Sequence, residues 1–203
     1  GRDGSDYHRE LVIPLCVELL APRPAERVVD IGCGTGILAD SLPPEVEYVG
    51  VDLRPRLLQT ARSLRGKGRT FLHGDAARLQ NVPGLRPESA DGVTFVLSLQ
   101  DMAPLDAILD GVAWVLKKGG RLVIVMFHPC FRIPRQSGWG WDEGRALQFR
   151  RIDSYLTPME VPVRPIKHGE PGSIKAYHRP LEAYINGLTA AGFRLQRIEE
   201  VPA

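Results

Sequence analysis

The sequence is poor in cysteine, in charge of one sign and in long apolar runs. Its 203 residues hold three cysteines, Cys16, Cys33 and Cys130. They are odd in number and scattered, with no Cys-x-x-Cys pair and no histidine at metal-ligand spacing. That argues against a disulfide framework or a bound metal and points to a reducing, cytoplasmic setting. The 26 Lys and Arg against 24 Asp and Glu leave a net charge of +2. This is too little for the broad positive field of a nucleic-acid binder, so no nucleic-acid partner is expected. The longest apolar runs, such as residues 122–127, are strand-sized and far below the roughly 20 residues that span a bilayer. The polar start carries no signal peptide, and no membrane partner is expected. What is present, 43% hydrophobic and 25% charged residues, suits a single domain over residues 1–203 closed around one core. The chain starts at Gly1-Arg2-Asp3 without Met and stops at Val201-Pro202-Ala203, which leaves room for residues missing at both ends. Oligomeric state is not legible.

Between residues 7 and 20, apolar side chains at Leu11, Val12, Leu15, Cys16, Leu19 and Leu20 repeat at intervals of three and four, the pattern of one helical face. Pro14 lies off that stripe and is expected to kink or restart the helix. After Pro22 and Pro24, residues 27–31 form an apolar run typical of a strand buried on both faces. A glycine-rich turn follows, then a short helix over 37–42 ended by Pro43-Pro44. The unit recurs as strand 47–51, helix 55–64 and strand 70–73, then as strand 92–97, helix 105–116, turn Gly119-Gly120 and strand 121–127. Such alternation predicts an α/β fold, a doubly wound, mostly parallel sheet with helices on both faces. From His128 to Arg179 the character changes to Pro, Gly, Arg and aromatics with no long period, which predicts a lid-like or substrate-binding insertion after strand five. Pro180 starts a last helix that Gly192 stops, and residues 193–199 read as a final strand.

Strand one ends in Asp30-Ile31-Gly32-Cys33-Gly34-Thr35-Gly36, three glycines at alternate positions before a helix. Such glycines admit positive φ and a close ligand approach. The dinucleotide fingerprint needs its third glycine where this chain has Ile37, and the phosphate-binding P-loop needs Gly-Lys-Ser/Thr where it has Gly36-Ile37-Leu38, so the spacing argues against both. Taken alone, the trio is also what a tight structural turn requires. Asp52 closes strand two, where a carboxylate can accept from both hydroxyls of a ribose. Asp75 follows strand three, placed either to accept from an adenine amine or to cap a helix. Acids at three successive carboxyl ends converge on the crevice where doubly wound folds bind ligands.

These segments resemble the class I S-adenosylmethionine-dependent methyltransferases. VVDIGCGTG from Val28, VGVDLRP from Val49 and GDAARL from Gly74 resemble that family's first three motifs. ADGVTFVLSLQDM from Ala90 and LKKGGRLVIV from Leu116 resemble its fourth strand and the approach to its fifth. The resemblance implies S-adenosylmethionine as cofactor and S-adenosylhomocysteine as product. It implies that Asp30 and the backbone of Gly32, Cys33, Gly34 and Gly36 face the methionine end, and that Asp52 holds the ribose. Asp75 and Ala76 take the adenine edge with Leu53 against the ring, and Leu97 and Ser98 border the sulfonium. The family's sheet usually adds an antiparallel strand beyond residues 193–199, which this sequence does not contain.

An activated sulfonium needs an aligned nucleophile and the exclusion of water, and a base only for hydroxyl or acid acceptors. His128, directly after strand five, and His178, from the insertion, are the candidate catalytic residues. His128 equally suits a satisfied ring orienting the His128-Pro129-Cys130-Phe131 turn. His168, among Pro and Gly, reads as surface, and Tyr7 and His8 are placed either to fold over the cofactor or to face solvent. Trp139, Trp141 and Tyr155 suit an aromatic wall for an acceptor or simple packing. Residues 128–179 hold nine Lys or Arg against five Asp or Glu, compatible with a mildly anionic acceptor. The His-Pro-Cys-Phe turn and the segment from Tyr177 to Phe193 resemble small-molecule methyltransferases, and the absence of Asn-Pro-Pro-Tyr after strand four points to oxygen or carbon acceptors, with O-methylation favoured. The rival expectations are methylation of RNA or protein, a non-catalytic cofactor-binding protein, and a nicotinamide oxidoreductase, the last opposed by the glycine spacing.

Overall fold

In a computed structural model, which describes residues 6–133, 136–163 and 174–201, the chain forms two compact units. The first comprises Gly1–Leu99 and Pro104–Met126, the second Gln100–Ala103 and Phe127–Pro202. The first is built on five parallel strands: β1 (Arg27–Ile31), β2 (Glu47–Asp52), β3 (Thr70–His73), β4 (Ala90–Val96) and β5 (Leu116–Val125). Their order is β3-β2-β1-β4-β5. This is the expected doubly wound sheet. The strand order reverses between β1 and β4, whose carboxyl ends lie side by side and form the switch point at which such sheets bind ligands.

The alternation of side chains sorts each strand between two cores. On one face Val28, Tyr48 and Phe71 pack with Ile13, Cys16 and Leu20 of α1 (Ile13–Leu20) and with Leu58 and Ala61 of α2 (Pro55–Arg65). On the other lie Val29, Ile31, Val49, Val51, Val93 and Phe95, all buried. A Cβ at Gly74 would touch both Val51 and Val82, and one at Gly111 of α3 (Leu105–Val115) would touch Leu79, so the short helical turn Ala76–Asn81 and α3 cover this second face. Each buried Leu or Ile contributes about 1.5–3 kcal/mol.

Pro14 restarts the first helix as expected: a π-helical turn, His8–Val12, runs into α1 with Pro14 in its first turn, where the missing N–H costs nothing. The short helix after the glycine turn is a 3₁₀ helix, Ile37–Ser41. β1 and β3 keep their expected bounds, while those of β2, β4 and β5 shift by one to five residues; β5 starts at Leu116 opposite Ala90 and ends at Val125, with an irregularity where Gly119 takes φ +77°.

The second unit corrects one expectation and adds structure where the sequence shows no long period. Residues 128–179 carry two antiparallel pairs: β6 (Ser137–Asp142) with β7 (Leu147–Ile152), and β8 (Met159–Val163) with β9 (Ile174–His178). Residues 193–201 form no strand. The N–H of Phe193 is spent on Leu188 O, closing α4 (Leu181–Ala190) over Gly192 at φ +86°. Beyond it Leu195 and Ile198 are more than half exposed, so no burial offsets the entropy of an ordered strand. Among the described residues no helix is long and apolar enough to cross a membrane.

Candidate active site

The three loop glycines all adopt left-handed backbone, Gly32 at φ +73°, Gly34 at +57° and Gly36 at +79°. Only Gly takes this region without a penalty, which explains their alternate spacing. Their surroundings differ. A Cβ on Gly36 would lie 2.6 Å from the Phe71 ring, whereas one on Gly34 would meet nothing within 4 Å. Gly36 is glycine because the core presses on it, and Gly34 because its backbone borders open space. The loop is tied down by Gly32 N and Cys33 N, which both donate to Val51 O at 2.8 and 3.1 Å.

Asp52, buried at the end of β2, accepts from Gly34 N through Oδ2 and from Arg54 N through Oδ1, both at 2.8 Å. Each carboxylate oxygen offers two lone pairs, so one acceptor position remains on each. That is the requirement for binding a vicinal diol. Leu53 follows with 61% of its surface exposed, an apolar side chain left bare beside a polar edge. Asp75 caps the turn Ala76–Asn81 by accepting from Ala77 N at 2.9 Å through Oδ1; Oδ2 has no partner among the described residues, and Ala76 is buried behind it. Leu97 leaves β4 at φ +52°, its N–H donating to Val125 O at 2.8 Å. A left-handed non-glycine residue costs about 1–2 kcal/mol, and strain of this kind collects at functional edges. Ser98 is buried and its hydroxyl donates to Ile31 O at 2.7 Å, bridging the ends of β4 and β1 at the switch point.

Asp30 differs from the other acids. It is 2% exposed, and its two oxygens accept from Tyr48 Oη at 2.8 Å and Thr94 Oγ1 at 2.9 Å. Burial raises its carboxyl to about 6, against the two hydroxyl donors and assisted by the charge of Asp52. Asp30 therefore sits beneath the glycine loop as a buried acceptor. Gly50 stands opposite it in the ladder, and a Cβ there would crowd Tyr48 Oη and Cys33 Sγ. Burial, with Asp30 and Asp52 near, pushes the Cys33 thiol far above its ordinary range, so it is no nucleophile.

The two candidate histidines, both in the second unit, are bonded differently. His128 accepts from Cys130 N at Nδ1, 3.2 Å, and its Nε2 meets Glu200 Oε1 at 2.6 Å. Both ring nitrogens are occupied, and the His128 carbonyl accepts from Phe131 N and Arg132 N; the ring holds the turn together. His178 is buried at the end of β9, with Nε2 2.8 Å from the Tyr155 carbonyl. A carbonyl only accepts, so Nε2 carries the proton and Nδ1 of the neutral ring keeps a lone pair. Tyr155 is itself fixed, its hydroxyl accepting from Leu181 N at 2.9 Å. His168 lies outside the described residues. Tyr7 and His8 stack edge to face, ring centroids 6.3 Å apart. Trp139 and Trp141 are largely exposed, Trp139 beneath the Arg150 guanidinium.

Sequence reasoning missed Tyr48, Thr94 and Glu200, and it read Tyr155 as wall or packing rather than as the partner of His178. The first two had a signal: Asp30, Tyr48 and Thr94 are polar residues in buried runs and share one face. The partners of the histidines had none, because they lie 23 and 72 residues away in sequence.

A family model described as a methyltransferase domain matches residues 29–124. The chain is 30% identical over 186 residues to the demethylmenaquinone methyltransferase of Thermus thermophilus, covering 89% of this chain and 80% of that enzyme. It is 32% identical over 113 residues to a ubiquinone biosynthesis O-methyltransferase of Xylella fastidiosa, covering 51% of this chain and 42% of the enzyme. A solved S-adenosylmethionine dependent methyltransferase from Mesorhizobium loti shares the fold with a TM-score of 0.76 at 24% identity, over 99% of this chain and 87% of that one. The chain spans about half the length of several curated relatives it matches, 54% of one and 47% of another.

Proposed function

Because the chain belongs to the class I S-adenosylmethionine-dependent methyltransferases, we propose that it methylates a hydroxyl oxygen of a small-molecule acceptor, with His178 as the base. The observation that carries this reading is the tautomer of His178, fixed by the Tyr155 carbonyl so that Nδ1 is the proton acceptor. A base is superfluous for an amine of low basicity or a thiolate and useful for a hydroxyl. The relatives' names support a small-molecule acceptor, one acting on demethylmenaquinone, and only the O-methyltransferase of ubiquinone biosynthesis supports an oxygen acceptor.

The residues at the switch point fit the cofactor. Open space beside Gly34, the two unused acceptor positions on Asp52 and the bare side chain of Leu53 match a backbone-lined cradle, a ribose diol and an adenine face in turn. Gly32, Cys33 and Gly36 would complete the cradle, Asp75 Oδ2 and Ala76 would take the adenine edge, and Leu97 and Ser98 would border the sulfonium. Asp30 acts through Tyr48 and Thr94 as a positioning residue below the loop. When bound, the cofactor supplies an electrophilic methyl carbon on a sulfonium. His178 Nδ1 would take the acceptor's hydroxyl proton as its oxygen gains the methyl group, with S-adenosylhomocysteine as the other product, and would return the proton to solvent. Residues 128–179 serve as the acceptor-binding segment and close over the reaction as a lid, within a single catalytic domain. The enzyme works in the cytoplasm on a small molecule, without nucleic acid.

The test is an acceptor screen followed by His178→Gln. The reading expects methyl transfer to a hydroxyl compound and a fall in kcat of about 10²-fold or more in the variant, with affinity for S-adenosylhomocysteine unchanged. An equal rate in both proteins would rule out the base.

A further inference from the structure

Among the described residues, seven of the twelve large hydrophobic side chains left exposed fall between Phe131 and Leu156. The chain's 26 Lys and Arg and 24 Asp and Glu include five Arg and three Asp or Glu in this stretch, so elsewhere the two signs balance. The densest apolar surface that folding leaves bare and the whole net charge of +2 therefore coincide. Single exposed hydrophobics are ordinary, but a cluster marks a contact surface.

Hairpin β6–β7 gives the cluster a direction. Directly paired residues of an antiparallel ladder share a face, so Trp139 with Arg150, Trp141 with Gln148 and Ser137 with Ile152 stand on one side. Ser137 Oγ, at 3.1 Å, and Arg150 Nη2 both donate to Phe131 O, which holds Phe131 at the base of that side. Trp139 is 68% exposed, Trp141 60% and Phe131 52%. On the opposite side the Phe149 ring lies over Gly140, where a Cβ would come within 2.4 Å of it. The hairpin thus packs partly on itself there, while the Trp side stays open, with the Arg150 guanidinium 5.3 Å from the centre of the Trp139 ring.

The charges discriminate among occupants. Arg145 and Arg151 pair with Asp142 and Asp153, but among the described residues no carboxylate forms an ion pair with Arg132 or Arg150. Two unneutralised cations beside a Trp face repel a second copy of that face and complement an anionic surface. Indole rings favour the headgroup zone of a bilayer, where an apolar body meets a wet edge, and guanidinium groups pair with phosphate. The acids at the turn, Asp142 and Glu143, oppose end-on insertion, so the ribbon would lie flat. The expectation of no membrane partner rested on the lack of a spanning segment and of a signal peptide, and a peripheral contact needs neither.

We propose that the Trp face of hairpin β6–β7 is a peripheral docking surface for anionic phospholipid bilayers. Trp139, Trp141 and Phe131 sit at headgroup level, and Arg132 and Arg150 meet lipid phosphates. The proposal does not depend on the acceptor or on the role given to His178.

The experiment is sedimentation of the full chain with vesicles of phosphatidylcholine alone and of equal parts phosphatidylcholine and phosphatidylglycerol, read also by tryptophan emission. The remaining tryptophan, Trp114, lies in α3 of the first unit. Binding to the mixed vesicles is expected to be at least about tenfold tighter than to phosphatidylcholine, with emission shifted to shorter wavelength, and about 0.5 M salt should weaken it. Trp139→Gln with Trp141→Gln, at exposed positions that accept polar side chains, should lose the shift and at least about tenfold in vesicle affinity. Arg132→Gln should lose about fivefold of the preference for the mixed vesicles. S-adenosylhomocysteine affinity should be the same in all three proteins. No sedimentation with either vesicle, equal affinity for the two, or undiminished binding by the double Trp variant would overturn the proposal. So would a Trp-dependent dimer in vesicle-free sedimentation equilibrium, which would give the face to a second copy of the chain.

Discussion

The two units use their polar groups differently. At the switch point of the first, Asp30 is satisfied by Tyr48 and Thr94, while Asp52 accepts from Gly34 N and Arg54 N with one position left on each oxygen, and Asp75 Oδ2 has no partner among the described residues. In the second, His128 is held at both ring nitrogens and His178 at Nε2 alone. In the proposed reading the first serves a constant cofactor and the second a variable acceptor, in keeping with a fold that serves many acceptors through one cofactor site.

The comparison breaks first at the glycines. Gly36→Ala meets the Phe71 ring at 2.6 Å with a backbone at φ +79°, and strain plus overpacking should cost about 2–5 kcal/mol of stability, measured by urea unfolding. Gly34→Ala has open space around its Cβ, so stability should fall by only about 1 kcal/mol. Affinity for S-adenosylhomocysteine should nevertheless drop at least about tenfold, because the methyl group occupies the cradle. Equal effects of the two substitutions on stability and binding would remove the distinction between a core-pressed and a ligand-facing glycine.

The buried acid gives the next largest effect. Asp30 is raised to about 6 in the folded protein, against about 3.9 in an unfolded chain. Between these values the folded state holds a proton that the unfolded chain has released. The contribution of Asp30 to stability is therefore greatest below about pH 4 and is lost as pH rises through about 6, by at most about 3 kcal/mol. Asp30→Asn should remove this slope, so that the variant gains stability relative to wild type from pH 4 to pH 7. A difference that does not change with pH would place the Asp30 carboxyl at an ordinary pKa. Smallest of all is His128→Ala, which loses two hydrogen bonds of a turn: about 1 kcal/mol of stability and a kcat within about threefold of wild type, because neither ring nitrogen is available as a base. A kcat loss as large as that of His178→Gln would contradict the assignment.

The first unit was legible in sequence and most of the second was not, for physical reasons. Strands buried on both faces, such as Arg27–Ile31, give continuous apolar runs, and glycines at alternate positions report left-handed backbone directly. Hairpin β6–β7 stayed hidden because it has residues exposed on both faces, so Trp139, Trp141, Arg150 and Phe149 show no one-sided pattern. Residues 193–199 show the reverse failure, apolar side chains at Phe193, Leu195 and Ile198 spaced as in a strand but without a burial site. The burial of Asp30 could be inferred from its parity with Tyr48 and Thr94, whereas the partners of His128 and His178 lie too far along the chain to be read from it.

The central claim is that the β1–β2 edge is an S-adenosylmethionine site organised by Asp52, and its most direct test is calorimetric titration with S-adenosylhomocysteine of the wild-type chain and of Asp52→Ala, with NADH as control. The account predicts micromolar binding to the wild type, little binding of NADH, and a loss of more than about tenfold in the variant, the scale expected for deleting a charged acceptor. A folded wild-type protein that binds NADH in preference, or an Asp52→Ala variant with undiminished affinity, would contradict it.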